Sequence, residues 1–450
     1  MTILNDCVAS KDIEFNDDFA KAYDCLENGS GNIFITGKAG TGKSTLLQYF
    51  RDHTVKNVAV LAPTGVAAVN IKGQTIHSFF RFKPDITPER ARAIKIRRTQ
   101  KALYQKVDTI VIDEVSMVRA DLLDCIDTFL RLHGKNRMEP FGGVQLVFVG
   151  DLYQLPPVVP HNEQGIFKDV YSSPYFFDSN IYRELNNSGQ HPRRFQIIEL
   201  KKIYRQKEED FIKLLGTIRN KTATEVHLEA LNKRYIPLFT PAEDDFYIYL
   251  TTTNVVADRV NLQRLTELKT DPYSHEGTVT GKFDSKNLPT HQILNLKIGA
   301  QVMLLNNDPG GRWINGSIGK IIGILEEGKI IGVELSDGQL VEVTPFQWDM
   351  FRFFFNEDSE ALESESVGSF KQYPLRLAWA VTIHKSQGKT FGKVIVDMGG
   401  GAFAHGQTYV ALSRCTNFEG LVLKRPILKR HILLDDDVVK FMATHSSEED

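Results

Sequence analysis

Between Gly31 and about Pro160, short apolar runs alternate with segments whose apolar residues recur at helical spacing. The strand-like runs are 32–36, 58–61, 109–112 and 144–149, and segment 119–132 places Leu122, Ile126, Phe129 and Leu130 on one helical stripe. This β/α alternation predicts a parallel sheet covered by helices on both faces. A second alternating block begins near Phe195, with strands at 195–200 and 246–251 and helices at 208–218 and 255–268. It breaks off from about Asp271 to Tyr373, then resumes with a strand at 394–397 and a helix at 405–413. The interruption has a different pattern. Its runs 301–305, 320–325, 329–335 and 339–343 are separated by Gly and Asp-Gly turns, which predicts a small β-barrel. The acidic positions Glu357, Asp358, Glu360, Glu363 and Glu365 that follow read as a solvated loop. The fold class is α/β: two similar domains with a β-barrel inserted in the second.

Composition changes this picture little. With 450 residues, 42% hydrophobic and 24% charged, the chain fits a soluble globular protein of about three domains. A net charge of −2 announces no nucleic-acid partner, so any such surface must be local. Segment 81–106 supplies one: Arg81, Lys83, Arg90, Arg92, Lys95, Arg97, Arg98, Lys101 and Lys106 face only Asp85 and Glu89. Its place inside the first block favours contact with a phosphate backbone. Cys7, Cys25, Cys125 and Cys415 are scattered, without zinc-like spacing, and suit free thiols in a reducing compartment. No apolar stretch reaches membrane-span length, and the N-terminal residues lack a signal-peptide pattern, so cytoplasm and no membrane partner are expected.

The chemistry begins where the first strand ends. Gly37-Lys38-Ala39-Gly40-Thr41-Gly42-Lys43-Ser44, followed by Thr45 and a helical stretch, is a phosphate-binding P-loop. Its glycines let backbone N–H groups converge on phosphate oxygens, and the helix N-terminus adds its dipole. Lys43 reaches the β/γ-phosphates and the Ser44 hydroxyl serves Mg²⁺. A second strand ends in Asp113-Glu114, where Asp113 can hold Mg²⁺ through water and Glu114 can polarise the attacking water. Gln154, in the segment from Gly150 to Val158, is placed to sense the γ-phosphate. Phosphoryl transfer needs cations on the transferring group, and Arg205 and Arg414 in the second block are the candidates.

These motifs resemble superfamily 1 helicases and, in detail, the petite-integration-frequency (PIF) family of DNA helicases. The resemblance rests on segments 37–44, 62–68, 73–80, 113–117, 140–146, 150–158, 200–206, 378–388 and 409–414, in order from Gly31 to about Ile427. It also extends to Asn306-Asn307 and the segment 315–319. It implies an ATP- and Mg²⁺-dependent motor with 5′-to-3′ polarity on single-stranded DNA, acting at DNA forks. The implied domains are a RecA-like domain at 1–80 and 107–192, a basic wedge at 81–106, a second RecA-like domain at 193–270 and 374–450, and an SH3-like domain at 271–373. By the same resemblance, Gly37, Ala39, Gly40, Thr41, Gly42, Lys43, Ser44, Thr45, Tyr204 and Gly388 bind the nucleotide, and Arg205 and Arg414 are the arginine fingers. The strand track is then Pro63, Thr64, Gly65, Val66, His77 and Phe79 on the first domain, and Thr251, Thr252, Thr382, His384 and Lys385 on the second. Phe79 or His77 would stack on a base.

One departure stands out. The family's glutamine upstream of the P-loop has no counterpart in Phe15-Asn16-Asp17-Asp18-Phe19-Ala20, which leaves selectivity for adenine open. Only 36 residues precede Gly37, so a minimal motor core of bacterial or phage type is expected. Both arginines lie in one chain, consistent with a monomer or a weak dimer induced by DNA. Work at G-quadruplexes, replication forks and telomeres is implied by the family alone. Two rival readings remain: a translocase that does not unwind duplex, and a P-loop switch that uses ATP only to gate nucleic-acid binding.

Overall fold

The computed structural model describes residues 16–446 except 161–162, 188–190, 207, 243, 284, 286, 287 and 403; Cys7 and Phe15 lie outside the described residues. Six parallel strands form the first sheet: Asn32–Gly37 (β1), Val58–Ala62 (β2), Gln74–Thr75 (β3), Thr109–Ile112 (β4), Gln145–Val149 (β5) and Phe195–Leu200 (β6). Their spatial order is β3-β2-β4-β5-β1-β6. Every residue of β1 is buried. Phe34 joins Phe148, Phe176 and Phe195 in one core, whereas Ile33 and Ile35 join Val147, Leu46 and Phe50 in another. Side chains alternate across a strand, so these two cores lie on opposite faces of the sheet, each sealed by helices. The result puts the carboxyl ends of β1, β2, β4 and β5 along one edge, where ligands of such sheets bind.

β6 corrects one expectation. The alternating pattern puts Phe195–Leu200 at the start of the second block, but it pairs in parallel with β1 over its whole length and closes the first sheet. Strand periodicity shows that a strand exists without naming its partner. The second parallel sheet consists of Ala380–Thr382, Ile248–Thr251, Val394–Asp397 and Leu421–Leu423, in that spatial order. The final helix, Asp436–Ser446, returns to the first domain: Phe441 stacks on Phe177 with ring centroids 4.3 Å apart.

The basic segment folds as two short helices, Pro88–Arg92 and Arg98–Lys106. Thr87 caps the first, its hydroxyl accepting from the Arg90 N–H at 3.3 Å, and proline follows at the first helical position. Ala91, Leu103 and Tyr104 anchor the segment in the core, while all nine of its cationic side chains are exposed.

The interruption is antiparallel. Five strands between Gln301 and Leu377 form one sheet over a core that includes Trp313, Ile321, Val333 and Tyr373. Beside it rises a long hairpin, Phe346–Asn356 paired with Ala361–Gln372. The acidic stretch is therefore not a loop throughout: Glu357, Asp358 and Glu360 fall in the hairpin turn, but Glu363 and Glu365 lie on its second strand. The hairpin reaches back to the first domain. Phe353 N–H donates to Gln74 Oε1 at 3.3 Å, Leu362 N–H donates to Asn57 Oδ1 at 2.7 Å, and the Phe353 ring meets Phe79. No helix among the described residues is long and apolar enough to cross a membrane.

Candidate active site

β1 delivers the P-loop to the sheet edge. Gly37, Gly40 and Gly42 have φ of +149°, +83° and +89°, and Gly42 starts the helix Lys43–His53 without a side-chain cap. That leaves the first N–H groups of the helix free of a capping side chain, as an anion site requires. At Gly40 a Cβ would fall 2.3 Å from Arg205 Cβ, so glycine is needed both for its φ and for the approach of the second domain. Lys43 Nζ donates to the carbonyls of Gly37 (2.7 Å) and Lys38 (3.0 Å), which holds the ammonium against the loop. Burial lowers its pKa, against the opposing charges of Asp151 and Glu114. Thr41 is buried, and Ser44 and Thr45 are exposed on the first helical turn.

β4 ends in the carboxylate pair. Glu114 adopts a left-handed conformation (φ 53°, ψ 44°), and its N–H donates to Asp113 Oδ1 at 2.9 Å. A non-glycine residue in this region is strained, and the kink sends successive side chains in different directions. Burial raises both pKa values; for Glu114, with Asp113 adding to the burial effect, the value reaches about 7. Two crowded carboxyl groups close to Lys43 suit a neighbouring cation. No group of three or more His, Cys, Asp or Glu residues gathers at a metal-binding spacing among the described residues. Mg²⁺ needs only one or two protein oxygens when phosphates complete its shell, so the Ser44 hydroxyl and Asp113 carboxylate fit it.

The second domain covers this edge. Tyr204 N–H donates to Gly40 O at 2.9 Å, and its half-exposed ring carries the Asn16 amide on its hydroxyl at 3.2 Å. The upstream stretch thus meets Tyr204 through an asparagine rather than a glutamine. Arg205 Nη2 donates to Gly388 O at 3.3 Å, while its Nη1 is buried without a hydrogen-bond partner. Arg414 differs. It is 1% exposed and donates to the carbonyls of Val410, Ser386 and Lys389 and to the Ser413 hydroxyl. Burial, followed by the charge of Arg205, lowers its pKa to about 9. Arg414 therefore supports the loop 386–389 in this conformation, with four of its five guanidinium N–H groups donating to protein oxygens.

Four residues to which the motifs gave no role complete the cleft. Tyr409 Oη accepts from the Ala39 N–H at 3.1 Å, pinning the P-loop to the second domain. Gln387 Nε2 donates to Glu114 Oε2 and, at 3.2 Å, to Gln154 Oε1. Asp151, just beyond β5, pairs with Arg219 at 3.0 Å, with side chains 0% and 5% exposed, and Arg219 lies 3.9 Å over the Tyr153 ring. Tyr409, Gln387 and Asp151 stand inside the motif segments and could have been singled out there; Arg219, at a helix end, had no such signal. Arg219→Ala would strand Asp151 as an uncompensated buried charge. A loss of about 3–5 kcal/mol is expected, read as a lowered thermal unfolding temperature, and Arg219→Ala Asp151→Ala should recover part of it.

The expected strand track divides by burial. Pro63 and Thr64 are half-buried, Gly65 is buried, and Val66 is 46% exposed at the start of the helix Gly65–Asn70. His77 is half-buried, with a pKa lowered by burial. Phe79 contradicts its expected stacking role: it is 3% exposed, with Phe80, Tyr104 and Phe353 edge-on against it. On the second domain His384 and Lys385 are exposed and Thr252 half-buried, but Thr251 and Thr382 are 3% and 4% exposed. These two threonines pair in register across adjacent strands, and Thr382 Oγ1 accepts from the Lys385 N–H, so they shape the track from beneath.

Comparison with known proteins agrees with this architecture. Residues 14–228 match the model of the PIF1-like helicase family. The chain is 33% identical to the ATP-dependent DNA helicase Pif1 of Bdellovibrio bacteriovorus, covering 96% of this chain and 92% of that protein. It superposes on Bacteroides sp. Pif1 in complex with ADP-AlF4 with a TM-score of 0.86 at 34% identity, over 97% of this chain and 98% of the other. Against Bacteroides Pif1 with ADP-AlF3 and ssDNA the TM-score is 0.69 at 35% identity, over 97% and 99%. A P-loop faced by arginines of a second parallel-sheet domain, together with near full-length similarity to these helicases, places the chain in the PIF1-like helicase family.

Proposed function

We propose that this chain is an ATP-dependent DNA helicase that moves 5′ to 3′ along single-stranded DNA and opens duplex at forks. The observation that carries the reading is Arg205, whose backbone and Cβ pack against Gly40 of the P-loop while its Nη1 is buried without a hydrogen-bond partner. A triphosphate on Gly37–Ser44 would thus touch both domains, and their relative position would govern its hydrolysis. The similar Bacteroides protein with ADP-AlF3 and ssDNA supports the same pair of ligands here.

In this reading Lys43 exchanges its loop carbonyls for β/γ-phosphate oxygens, and Glu114 takes the proton of the attacking water. Gln154 orients that water, while Tyr204 lies along the base. Arg205 delivers its free Nη1 to the γ-phosphate, with Arg414 holding the loop that receives it. Mg²⁺, held by Ser44 and Asp113, would neutralise charge on the bridging phosphates. The exposed residues Val66, His384 and Lys385, with Pro63, Thr64, Gly65, His77 and Thr252, line the strand. Alternate gripping by the two RecA-like domains converts closure and reopening of the cleft into steps. The exposed cations of the wedge, 81–106, meet the duplex ahead, and the enzyme works as a monomer or DNA-induced dimer on cytoplasmic DNA.

Strand displacement on tailed duplexes tests this. ATP-dependent unwinding of 5′-tailed but not 3′-tailed substrate is expected. ATP turnover without displacement would point to a translocase, and ATP-gated binding with little turnover to a switch.

A further inference from the structure

Gln387 lies between the strand track and the hydrolytic carboxylate. Its side-chain amide uses both hydrogens, one on Glu114 Oε2 at 3.1 Å and one on Gln154 Oε1 at 3.2 Å. The direction of these bonds is set by the chain's own chemistry. Gln154 turns its NH₂ to Asp151 Oδ2 at 3.4 Å, which leaves only its oxygen for Gln387. With a carboxylate acceptor at each end, the amides order as Asp151, Gln154, Gln387, Glu114, with every NH₂ facing an acceptor. Gln387 belongs to the second domain, and the other three residues belong to the first. It is therefore a polar bridge across the cleft that ends on the catalytic side chains themselves.

The same residue is fastened to the track. Gln387 N–H donates to His384 O at 3.2 Å, Ser386 N–H to Thr382 O at 3.0 Å, and Lys385 N–H to Thr382 Oγ1 at 3.3 Å. Thr382, His384, Lys385 and Gln387 thus share one hydrogen-bonded turn, exposed at His384 and Lys385 and half-buried at Gln387. A strand that shifts the exposed side of this turn shifts the amide on its inner side. Arg414 Nη1 holds the turn from behind through Ser386 O at 3.4 Å.

We propose that Gln387 is the positioning residue that makes ATP hydrolysis respond to DNA, by setting Glu114 and Gln154 relative to each other according to how the turn 382–387 is engaged. The proposal rests on the function assigned above, with Glu114 as the base and His384 and Lys385 on the track. Gln387 itself touches neither water nor phosphate in this scheme; it acts through the two side chains it holds.

The test compares Gln387→Ala and Gln387→Met, the second keeping side-chain length without donors, in the full chain. Steady-state ATP turnover is measured with and without oligo(dT), and oligo(dT) affinity by fluorescence anisotropy. Both variants are expected to lose ~10- to 100-fold in the kcat reached with oligo(dT), the range for a misplaced catalytic group. KM for ATP and oligo(dT) affinity should each stay within about threefold, while the ratio of turnover with oligo(dT) to turnover without it should fall towards one. Gln154→Ala combined with Gln387→Ala should be no slower than the slower single variant, because both act through one network. Full stimulation in Gln387→Met, or multiplicative losses in the double variant, overturns the proposal. Glu114→Gln separates the layers: if it keeps its turnover, the underlying assignment of the base fails, whereas an inactive Glu114→Gln beside a normal Gln387→Met removes only the inference about Gln387.

Discussion

Arg205→Ala is expected to lower DNA-stimulated ATP turnover by ~10³-fold, the lower end of what an arginine finger contributes. The residue has one nitrogen on Gly388 O and one buried without a partner, so its removal leaves a single carbonyl to be satisfied. Little loss of fold is expected, and KM for ATP should change by less than about threefold, since Lys43 and the loop amides do most of the ground-state holding. Arg205→Lys keeps a charge but loses the planar fork, and should recover only a small part of the rate. Steady-state kinetics with oligo(dT) decides it; a kcat within tenfold of the parent would remove Arg205 from the transition state. Arg414→Ala cannot serve the same purpose. Its guanidinium satisfies three carbonyls and a hydroxyl in the interior, so lost turnover in that variant would not separate chemistry from a collapsed loop.

Lys43→Ala is expected to abolish function at an earlier step. The ammonium sits against Gly37 O and Lys38 O, within the field of Asp151 and Glu114, on the loop that takes the phosphates. Without it, a triphosphate would bring its negative charge toward two carboxylates with one fewer cation to offset them. A charge-assisted bond contributes roughly 1.5–3 kcal/mol, so affinity for ATP should fall ~10- to 100-fold and turnover further, to below ~10⁻³ of the parent. Titration with a fluorescent nucleotide analogue, followed by single-turnover hydrolysis, reads both effects. Binding of oligo(dT) without nucleotide should persist, because the track residues lie on other loops. Unwinding that survives in this variant would show that the P-loop does not power it.

The physical reasons for what was legible differ from element to element. Phosphate chemistry is local: a P-loop needs a strand, three glycines with unusual φ, a lysine and a hydroxyl in one run, so segment 37–45 reads directly. The carboxylate pair ends one apolar strand, and the two-domain pattern follows from the alternation of buried runs with amphipathic helices. The family resemblance added the domain plan, the fingers and the track. It did not foresee that Phe79 is packed under Phe353 of the distant hairpin, that Thr251 and Thr382 are covered, or that Arg414 is buried and donates to four protein oxygens. A motif states which residues occur together; it does not state which side chain loses its exposure when another domain settles on it.

The sequence by itself determined the nucleotide-binding edge and the two-block architecture, because both depend on periodicity and on residues adjacent in the chain. Tertiary structure alone decided the rest. Strand β6 joins the first sheet because its buried face completes the core around Phe148. Arg219 meets Asp151, and Gln387 meets Glu114, across 68 and 273 positions of sequence separation. Such contacts have no period and no local spacing. They arise only when two domains, each folded by its own apolar pattern, bring polar groups together in a cleft that excludes water, where an unpaired donor or charge is costly and pairing is therefore specific.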